Sequence, residues 1–161
     1  MNNLEYQAIM TSPIGRIGVC LDETDHLVAL DFLGARGRSR PARTLAARRI
    51  VNVLLAYFSN PQTPLHLPLI PKGTAHQQKV WCVLQSIPVG TVCSYGDLAK
   101  QIASSPRAVG QACRNNPIPI LIPCHRVVAR TGAGGYSGAT SGPEMVIKRW
   151  LLEHEGVPVT A

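Results

Sequence analysis

The first third of the chain alternates short apolar stretches with polar turns, a pattern typical of β-strands. Three such stretches are Leu4–Met10, Arg16–Leu21 and Leu27–Leu33, and they are separated by Ser12-Pro13 and by Asp22–Asp25. Turn residues at this spacing predict a small antiparallel sheet in which each strand pairs with the next.

The apolar positions then change to a helical spacing, after a loop rich in glycine and arginine at Gly34–Pro41. Over Ala42–Phe58 apolar residues recur every three to four positions with arginines between them, which predicts an amphipathic helix. Four prolines within Asn60–Pro71 exclude regular structure there. We expect this segment to link a structural domain of residues 1–70 to a second domain of residues 71–161.

Capping residues open the second part of the chain. Thr74 and Gln77 have the spacing of a capping box before an apolar run, and Ser94 and Asp97 repeat the pattern before Leu98–Ile102. Both signals predict helices. The expected fold class is α+β, in which a small N-terminal antiparallel sheet with one helix precedes a mostly helical C-terminal domain.

A helix-turn-helix is predicted where the next helix begins. Ser105 suits the N-cap and Pro106 the first position of a helix over 106–115, directly after the preceding short helix. The face expected to approach a DNA groove consists of Ala108, Gly110, Gln111 and Ala112. Small side chains also permit close packing between helices, so the pattern alone leaves both interpretations open.

Charge favours a polyanionic partner for the second half of the chain. The sequence has 16 lysines and arginines against nine acidic residues, a formal net charge of +7. Residues 1–71 contribute seven basic and five acidic side chains, and residues 72–161 contribute nine and four. A basic second half suits nucleic acid, although a solvated surface gives the same composition.

Composition is typical of a compact intracellular protein. Apolar residues make up 45% of the sequence, which is enough for a core and too many for a disordered chain. The longest apolar runs fall far short of the roughly 20 residues that span a bilayer, and the N-terminus shows no secretory signal. We therefore expect a cytoplasmic protein with no membrane partner.

Cys124 differs from the other cysteines in its neighbours. It follows the proline-framed apolar run 116–123, which is predicted to be extended, buried and stiff, and it precedes His125 and Arg126. A cysteine attacks as its thiolate, and such neighbours are expected to lower its pKa. The remaining cysteines lie among residues typical of a core: Cys20, Cys82, Cys93 and Cys113.

Several motifs surround Cys124 in a fixed order. They are Arg107-Ala108-Val109-Gly110, Asn116-Pro117, Pro123–Val127, Tyr136-Ser137-Gly138 and Leu151–Gly156. Together they resemble the O6-alkylguanine-DNA alkyltransferases over roughly residues 74–156. The resemblance implies direct-reversal DNA repair, in which an alkyl group moves irreversibly from O6 of guanine to the protein's own cysteine. O4 of thymine is a second candidate donor.

The resemblance also implies a role for each catalytic residue. Cys124 is implied as the alkyl acceptor, His125 as a base that acts through a water molecule, and Glu155 as the residue that orients His125. Asn116 is implied to hydrogen-bond within the site. Tyr95 is implied to donate a hydrogen bond or proton to the leaving guanine.

The implied partner is double-stranded DNA containing O6-alkylguanine, whose damaged base must be extruded to reach a thiol. The residues implied to contact it are Arg107, Ala108, Gly110, Gln111, Ala112, Tyr95 and Ser137. Arg107 is implied to fill the space that the base leaves, and the backbone N–H of Ser137 to meet O6. The implied protein is a monomer without cofactor, at the nucleoid of a prokaryote or in the nucleus of a eukaryote.

Two further function classes and a metal site stay open. A non-catalytic binder of alkylated guanine is one alternative, and Cys124 argues against it because such relatives lack the acceptor cysteine. A hydrolase that uses Cys124 and His125 over many turnovers is the other. Some family members bind a structural zinc, but Cys20, His26 and His66 offer only three of the four usual ligands, so no metal is expected.

Overall fold

The computed structural model describes residues 5–132, 134–136 and 140–159. The chain divides into two compact units, Met1–Lys72 and Gly73–Ala161. The first unit carries a sheet and one helix and the second is mostly helical, which is the predicted α+β class. None of the described helices combines the length and the apolar character that crossing a membrane requires.

The first unit is built on a three-stranded antiparallel meander. Its strands are β1 (Ala8–Ser12), β2 (Gly15–Leu21) and β3 (Leu27–Gly34), in the spatial order β1-β2-β3. Ala8 lies opposite Val19 across the first pair. The predicted meander is confirmed, although β1 begins later than expected, and residues 1–4 lie outside the part of the chain that the structure describes.

Helix α1 (Leu45–Ser59) follows and contacts β1 and β2. Thr44 is its N-cap, because the Thr44 hydroxyl accepts a hydrogen bond of 3.1 Å from the N–H of Ala47. The helix buries Ala47, Ile50, Leu54 and Tyr57. The predicted helix is confirmed with a later start, and residues 60–71 form no helix or strand beyond one bridge between Leu69 and Leu27.

Four helices form most of the second unit, and side-chain caps start three of them. The helices are α2 (Ala75–Gln85), α3 (Tyr95–Gln101), α4 (Pro106–Arg114) and α5 (Pro143–His154). The capping box at Thr74 is confirmed in both directions, with hydrogen bonds of 3.1 and 2.9 Å to Gln77. Ser94 and Ser105 cap α3 and α4 through their side chains, but of the capping box predicted at Ser94 and Asp97 only the bond to the Ser94 hydroxyl forms. A parallel pair, β4 (Cys93–Ser94) and β5 (Val127–Val128), was not predicted.

Helices α3 and α4 contact each other as a helix-turn-helix, and α2 packs behind α4. The indole N–H of Trp81 donates to the Ala112 carbonyl at 2.9 Å. Ala112 is 1% exposed, so its predicted place on the DNA-facing side of α4 is wrong. It shares the inner face with Val109 and Cys113, whereas Arg107 and Gln111 are exposed.

The segment before Cys124 is buried as predicted, but it is not extended. The Ile122 N–H donates to the Ile118 carbonyl at 2.9 Å, and Ile120 has a φ of 74°. The Asn116 side-chain oxygen accepts from the N–H of Ile118 at 2.9 Å. A buried segment without a neighbouring strand must satisfy its backbone groups locally, and it therefore folds into a compact turn.

Candidate active site

Cys124 lies at the start of a short 3-10 turn, Cys124–Arg126, that follows this compact segment. Its backbone N–H donates to the Ile122 carbonyl at 2.8 Å. The residue is only 4% exposed, yet it lines a cavity of about 270 Å³ together with Tyr95, Arg107 and Tyr136. The turn therefore presents this thiol at the wall of a cavity.

Asn116 connects the compact segment to the sulfur. Its side-chain Nδ2 donates to Cys124 Sγ at 3.1 Å and to the Ile122 carbonyl at 2.7 Å. With the bond that its Oδ1 accepts from Ile118, the amide is fixed in one orientation. Asn116 thus holds the position of Sγ and donates to it.

A buried ionic network lies behind Cys124. Glu155 accepts from His125 Nε2 at 2.8 Å and from two nitrogens of Arg126, at 2.9 and 2.8 Å. Arg126 also donates to the Ile87 carbonyl at 2.6 Å. Burial opposes the charge on Glu155, but the hydrogen bonds from Arg126 and His125 outweigh it and hold the pKa of this carboxyl well below its usual range.

His125 is oriented as a neutral base. Burial lowers the pKa of its imidazole, although the bond to Glu155 opposes this shift. Because the Glu155 carboxylate accepts at Nε2, the single proton of the neutral ring is assigned to Nε2. Nδ1 is buried and has no hydrogen-bond partner among the residues described, so it is the nitrogen that can accept a proton.

The expected thiolate activation by His125 and Arg126 is wrong for the unbound protein. Burial raises the pKa of Cys124, and the groups that oppose this shift are Asn116, Lys148 and Tyr136. The side chains of His125 and Arg126 are both engaged by Glu155. Neighbours in sequence therefore do not lower the pKa of this sulfur, and the thiol is protonated at neutral pH.

Lys148, which was not among the predicted site residues, lies beside the site. It is fully buried, and its Nζ donates to the carbonyls of Val127 and Gly135 at 2.8 and 2.9 Å. Burial lowers the pKa of Lys148 to about 8. The sequence pattern could have indicated its burial, because Lys148 lies three positions from both Met145 and Leu151, which form the apolar face of α5.

Tyr95 forms another part of the cavity wall, from the start of α3. Its hydroxyl donates to the Gly135 carbonyl at 3.2 Å, and Lys148 Nζ lies 5.9 Å from the centroid of its ring. Burial raises the pKa of Tyr95 above its ordinary value, so the phenol stays protonated and able to donate. Tyr95 and Lys148 thus donate to the same carbonyl, that of Gly135.

The structure brings part of the predicted DNA-binding set to the same cavity. Arg107, Gly110 and Gln111 line it from α4. Ala108 is half-buried beside them and Ala112 faces the interior. The prediction for Ser137 falls outside the described residues.

The other cysteines differ from one another in exposure. Cys82 is exposed and Cys93 is half-buried, so the expectation that all four lie in a core holds only for Cys20 and Cys113. Within residues 5–132, 134–136 and 140–159, no cluster of three or more His, Cys, Asp or Glu side chains has the arrangement of a metal site.

Known proteins of similar sequence are methylated-DNA–protein-cysteine methyltransferases. The family model described as "6-O-methylguanine DNA methyltransferase, DNA binding domain" matches residues 75–157. A methylated-DNA–protein-cysteine methyltransferase of Cricetulus griseus is 35% identical, in an alignment that covers 93% of this chain and 81% of that protein.

Solved structures of similar fold agree with this family. The O6-methylguanine methyltransferase of Mycobacterium tuberculosis is 36% identical, with a TM-score of 0.75 over 91% of this chain and 90% of that chain. A structure of the OGT of the same organism in complex with DNA is also 36% identical, with a TM-score of 0.75 over 92% and 91%.

Proposed function

Since this chain belongs to the family of methylated-DNA–protein-cysteine methyltransferases, it is a DNA-repair methyltransferase, and we propose that its alkyl acceptor is Cys124. The observation that supports this assignment is the position of the sulfur. It lies at the wall of a cavity, accepts a hydrogen bond from Asn116 and is followed in the chain by an imidazole oriented by Glu155. The donor is an alkyl group, above all methyl, on O6 of guanine, with O4 of thymine as a second donor.

The proposed reaction forms one bond and breaks one. The S–C bond to Cys124 forms as the C–O6 bond breaks, and the electron pair of that bond passes to the guanine. The thiol proton passes through water to Nδ1 of His125, and the guanine takes a proton at its ring nitrogen from the Tyr95 hydroxyl. His125 then returns its proton through water to Tyr95, so that in sum the thiol proton replaces the methyl group on the guanine. The alkyl group is not removed again from the thioether that forms at Cys124, and each protein molecule therefore reacts once.

His125 acts as a base because of its buried partners. Glu155 is held ionised by Arg126 and stabilises the positive charge that the imidazole acquires on accepting a proton. Tyr95, which also lines the cavity, assists by donating a hydrogen bond or proton to the guanine once its hydroxyl leaves the Gly135 carbonyl. Asn116 keeps Sγ in place as the charge on the sulfur develops.

The second unit is proposed to bind duplex DNA through α4 and to receive an extruded base in the cavity. Arg107 and Gln111 are exposed on the α4 face that borders the cavity, and the small residues Ala108 and Gly110 beside them let α4 approach the minor groove of DNA that is bent and widened on binding. Residues 1–70 serve as a structural domain and 71–161 as the DNA-binding and acceptor domain. The protein acts as a monomer, at the nucleoid of a prokaryote or in the nucleus of a eukaryote.

Counting methyl groups tests this function against the alternatives. With excess duplex DNA that carries O6-[3H-methyl]guanine, we expect close to one methyl group per protein molecule, bound as S-methylcysteine in the peptide that contains Cys124. A non-catalytic binder retains DNA but takes up no label. A hydrolase acts repeatedly on a model ester and carries no stable methyl group, and either result contradicts the proposal.

Arg107→Ala is expected to slow repair of duplex DNA by roughly 10- to 100-fold, because unstacking a base costs a few kcal/mol that the arginine offsets. Transfer from free O6-benzylguanine requires no extrusion and is expected to stay within a few-fold of the parent protein. Single-turnover rates on both substrates measure the difference. Arg149→Ala, which removes an exposed charge from α5, is the matched control, and equal losses on both substrates in Arg107→Ala contradict the role.

A further inference from the structure

The acceptor cavity contains a second thiol that the proposed reaction does not use. Cys113 lies in the last turn of α4, is 8% exposed and lines the same cavity of about 270 Å³ as Cys124. Among the residues that the structure describes, no third cysteine lines this cavity. The two thiols therefore face one small space that is open to solvent on one side.

Asn116 connects the two cysteines. Its backbone N–H donates to the Cys113 carbonyl at 3.2 Å, while its side-chain Nδ2 donates to Cys124 Sγ at 3.1 Å. A residue bonded to both cysteines fixes the end of α4 against the turn that carries Cys124. The backbone of Cys113 and the sulfur of Cys124 are consequently held in place before any ligand binds, which reduces the entropy lost when both thiols bind one ligand.

The electrostatic environment keeps both thiols protonated. Burial, with a smaller contribution from Cys124, raises the pKa of Cys113 to about 12, and burial also raises the pKa of Cys124. Two protonated thiols without a third or fourth ligand do not suit Zn²⁺, which is held by four ligands in structural sites. They suit a soft metal or metalloid atom that bonds to two sulfurs and displaces their protons.

We propose that Cys113 and Cys124 form a dithiol site for trivalent arsenicals, and that binding there blocks the acceptor. With phenylarsine oxide, two As–S bonds form and the arsenic–oxygen bond breaks. The two thiol protons leave with that oxygen as one water molecule, and arsenic stays trivalent, so no oxidant or reductant is needed. The blocking of transfer rests on the proposed role of Cys124, whereas the binding of arsenic does not.

Phenylarsine oxide itself is the reagent that tests the site. The full chain is treated with one equivalent, washed with excess glutathione and analysed by intact mass, free-thiol titration and peptide mapping. We expect one arsenical per chain, loss of two of the five free thiols, and no methyl transfer. Dithiothreitol, which chelates arsenic through two sulfurs, is expected to restore the thiols and the activity, whereas glutathione is not.

Cys113→Ser isolates the contribution of the second sulfur. A single thiol loses the chelate advantage, which for two linked contacts is about 10²- to 10⁴-fold. The variant is therefore expected to release the arsenical during the glutathione wash and to need at least about 10²-fold more reagent for half-inhibition, relative to its own untreated rate. Cys113→Ala is expected to behave in the same way, and Cys82→Ser, at an exposed position, to behave as the parent.

Retention of the arsenical by both Cys113 variants, or mapping of the arsenic to Cys20, Cys82 or Cys93, overturns the proposal. Failure of the proposed function gives a different result. In that case the untreated parent transfers no methyl group, while mass and thiol titration still report one arsenical on Cys113 and Cys124. A parent that transfers methyl groups but binds no arsenical refutes the dithiol site alone.

Discussion

Cys124→Ala is expected to abolish methyl transfer while duplex DNA affinity stays within a few-fold of the parent value. Transfer ends because no other thiol occupies the position to which Asn116 donates. Affinity persists because the exposed side chains of α4 that face the cavity mouth, including Arg107 and Gln111, are unchanged. Labelled-methyl uptake measures the first quantity, and a mobility-shift titration at fixed salt measures the second.

A second alanine variant controls for the loss of a thiol in general. Cys82→Ala removes an exposed cysteine of α2 that does not line the cavity, and full transfer is expected. Undiminished transfer by Cys124→Ala refutes the assignment of the acceptor. Parallel loss of transfer and of DNA binding indicates a disturbed fold, and far-UV circular dichroism of the variant distinguishes that cause.

Glu155→Ala is expected to lower the free energy of unfolding by about 3–5 kcal/mol, because it leaves the buried Arg126 charge without its carboxylate. The side chain of Glu155 is fully buried and that of Arg126 is 6% exposed. His125 loses its hydrogen bond as well. Urea unfolding measures the change.

The neighbouring carboxylate provides the control for Glu155. Glu153 is exposed near the end of the same helix, and Glu153→Ala is expected to change stability by no more than about 0.5 kcal/mol. Similar losses in the two variants contradict the buried network as the source of the effect. A loss confined to Glu155 supports it.

The same network predicts acid sensitivity. His125 and Glu155 both have a folded-state pKa below the ordinary value, so the unfolded chain binds protons first as the pH falls. The stability that His125 and Glu155 contribute is therefore complete above about pH 6.5, the ordinary pKa of histidine. The His125 contribution decreases below that pH, and the Glu155 contribution is lost below about pH 4.3. Glu155→Gln removes that carboxyl and is expected to show a shallower loss below pH 4.3 than the parent, and an equal slope contradicts this account.

The sequence by itself determined the elements whose causes are local. Thr74 with Gln77, and Ser94 and Ser105 alone, start helices because a side chain three residues away from a backbone N–H reaches it without help from the rest of the fold. The alternating runs before residue 34 likewise gave the correct meander. The order of motifs around Cys124 was enough to identify the family.

Errors arose where distant residues decide the outcome. Ala112 is small enough for either face of α4, and packing of Trp81 from α2 places it inside. The apolar run before Cys124 has extended-type residues, but Asn116 and the Ile118 carbonyl fold it into a turn. Propensity is weak against such tertiary contacts.

Only the tertiary structure decided the chemistry of the site. Glu155 is 30 positions from His125, and their contact takes up Nε2 and directs the imidazole toward the carboxylate. Lys148 becomes an interior cation because carbonyls of Val127 and Gly135 accept its protons, 21 and 13 positions away. The pKa of Cys124 is raised because burial outweighs its hydrogen bonds. Desolvation depends on everything that surrounds a group in space, and for that reason adjacency in sequence singled out Cys124 for the proposed chemistry but did not predict how its thiol is ionised.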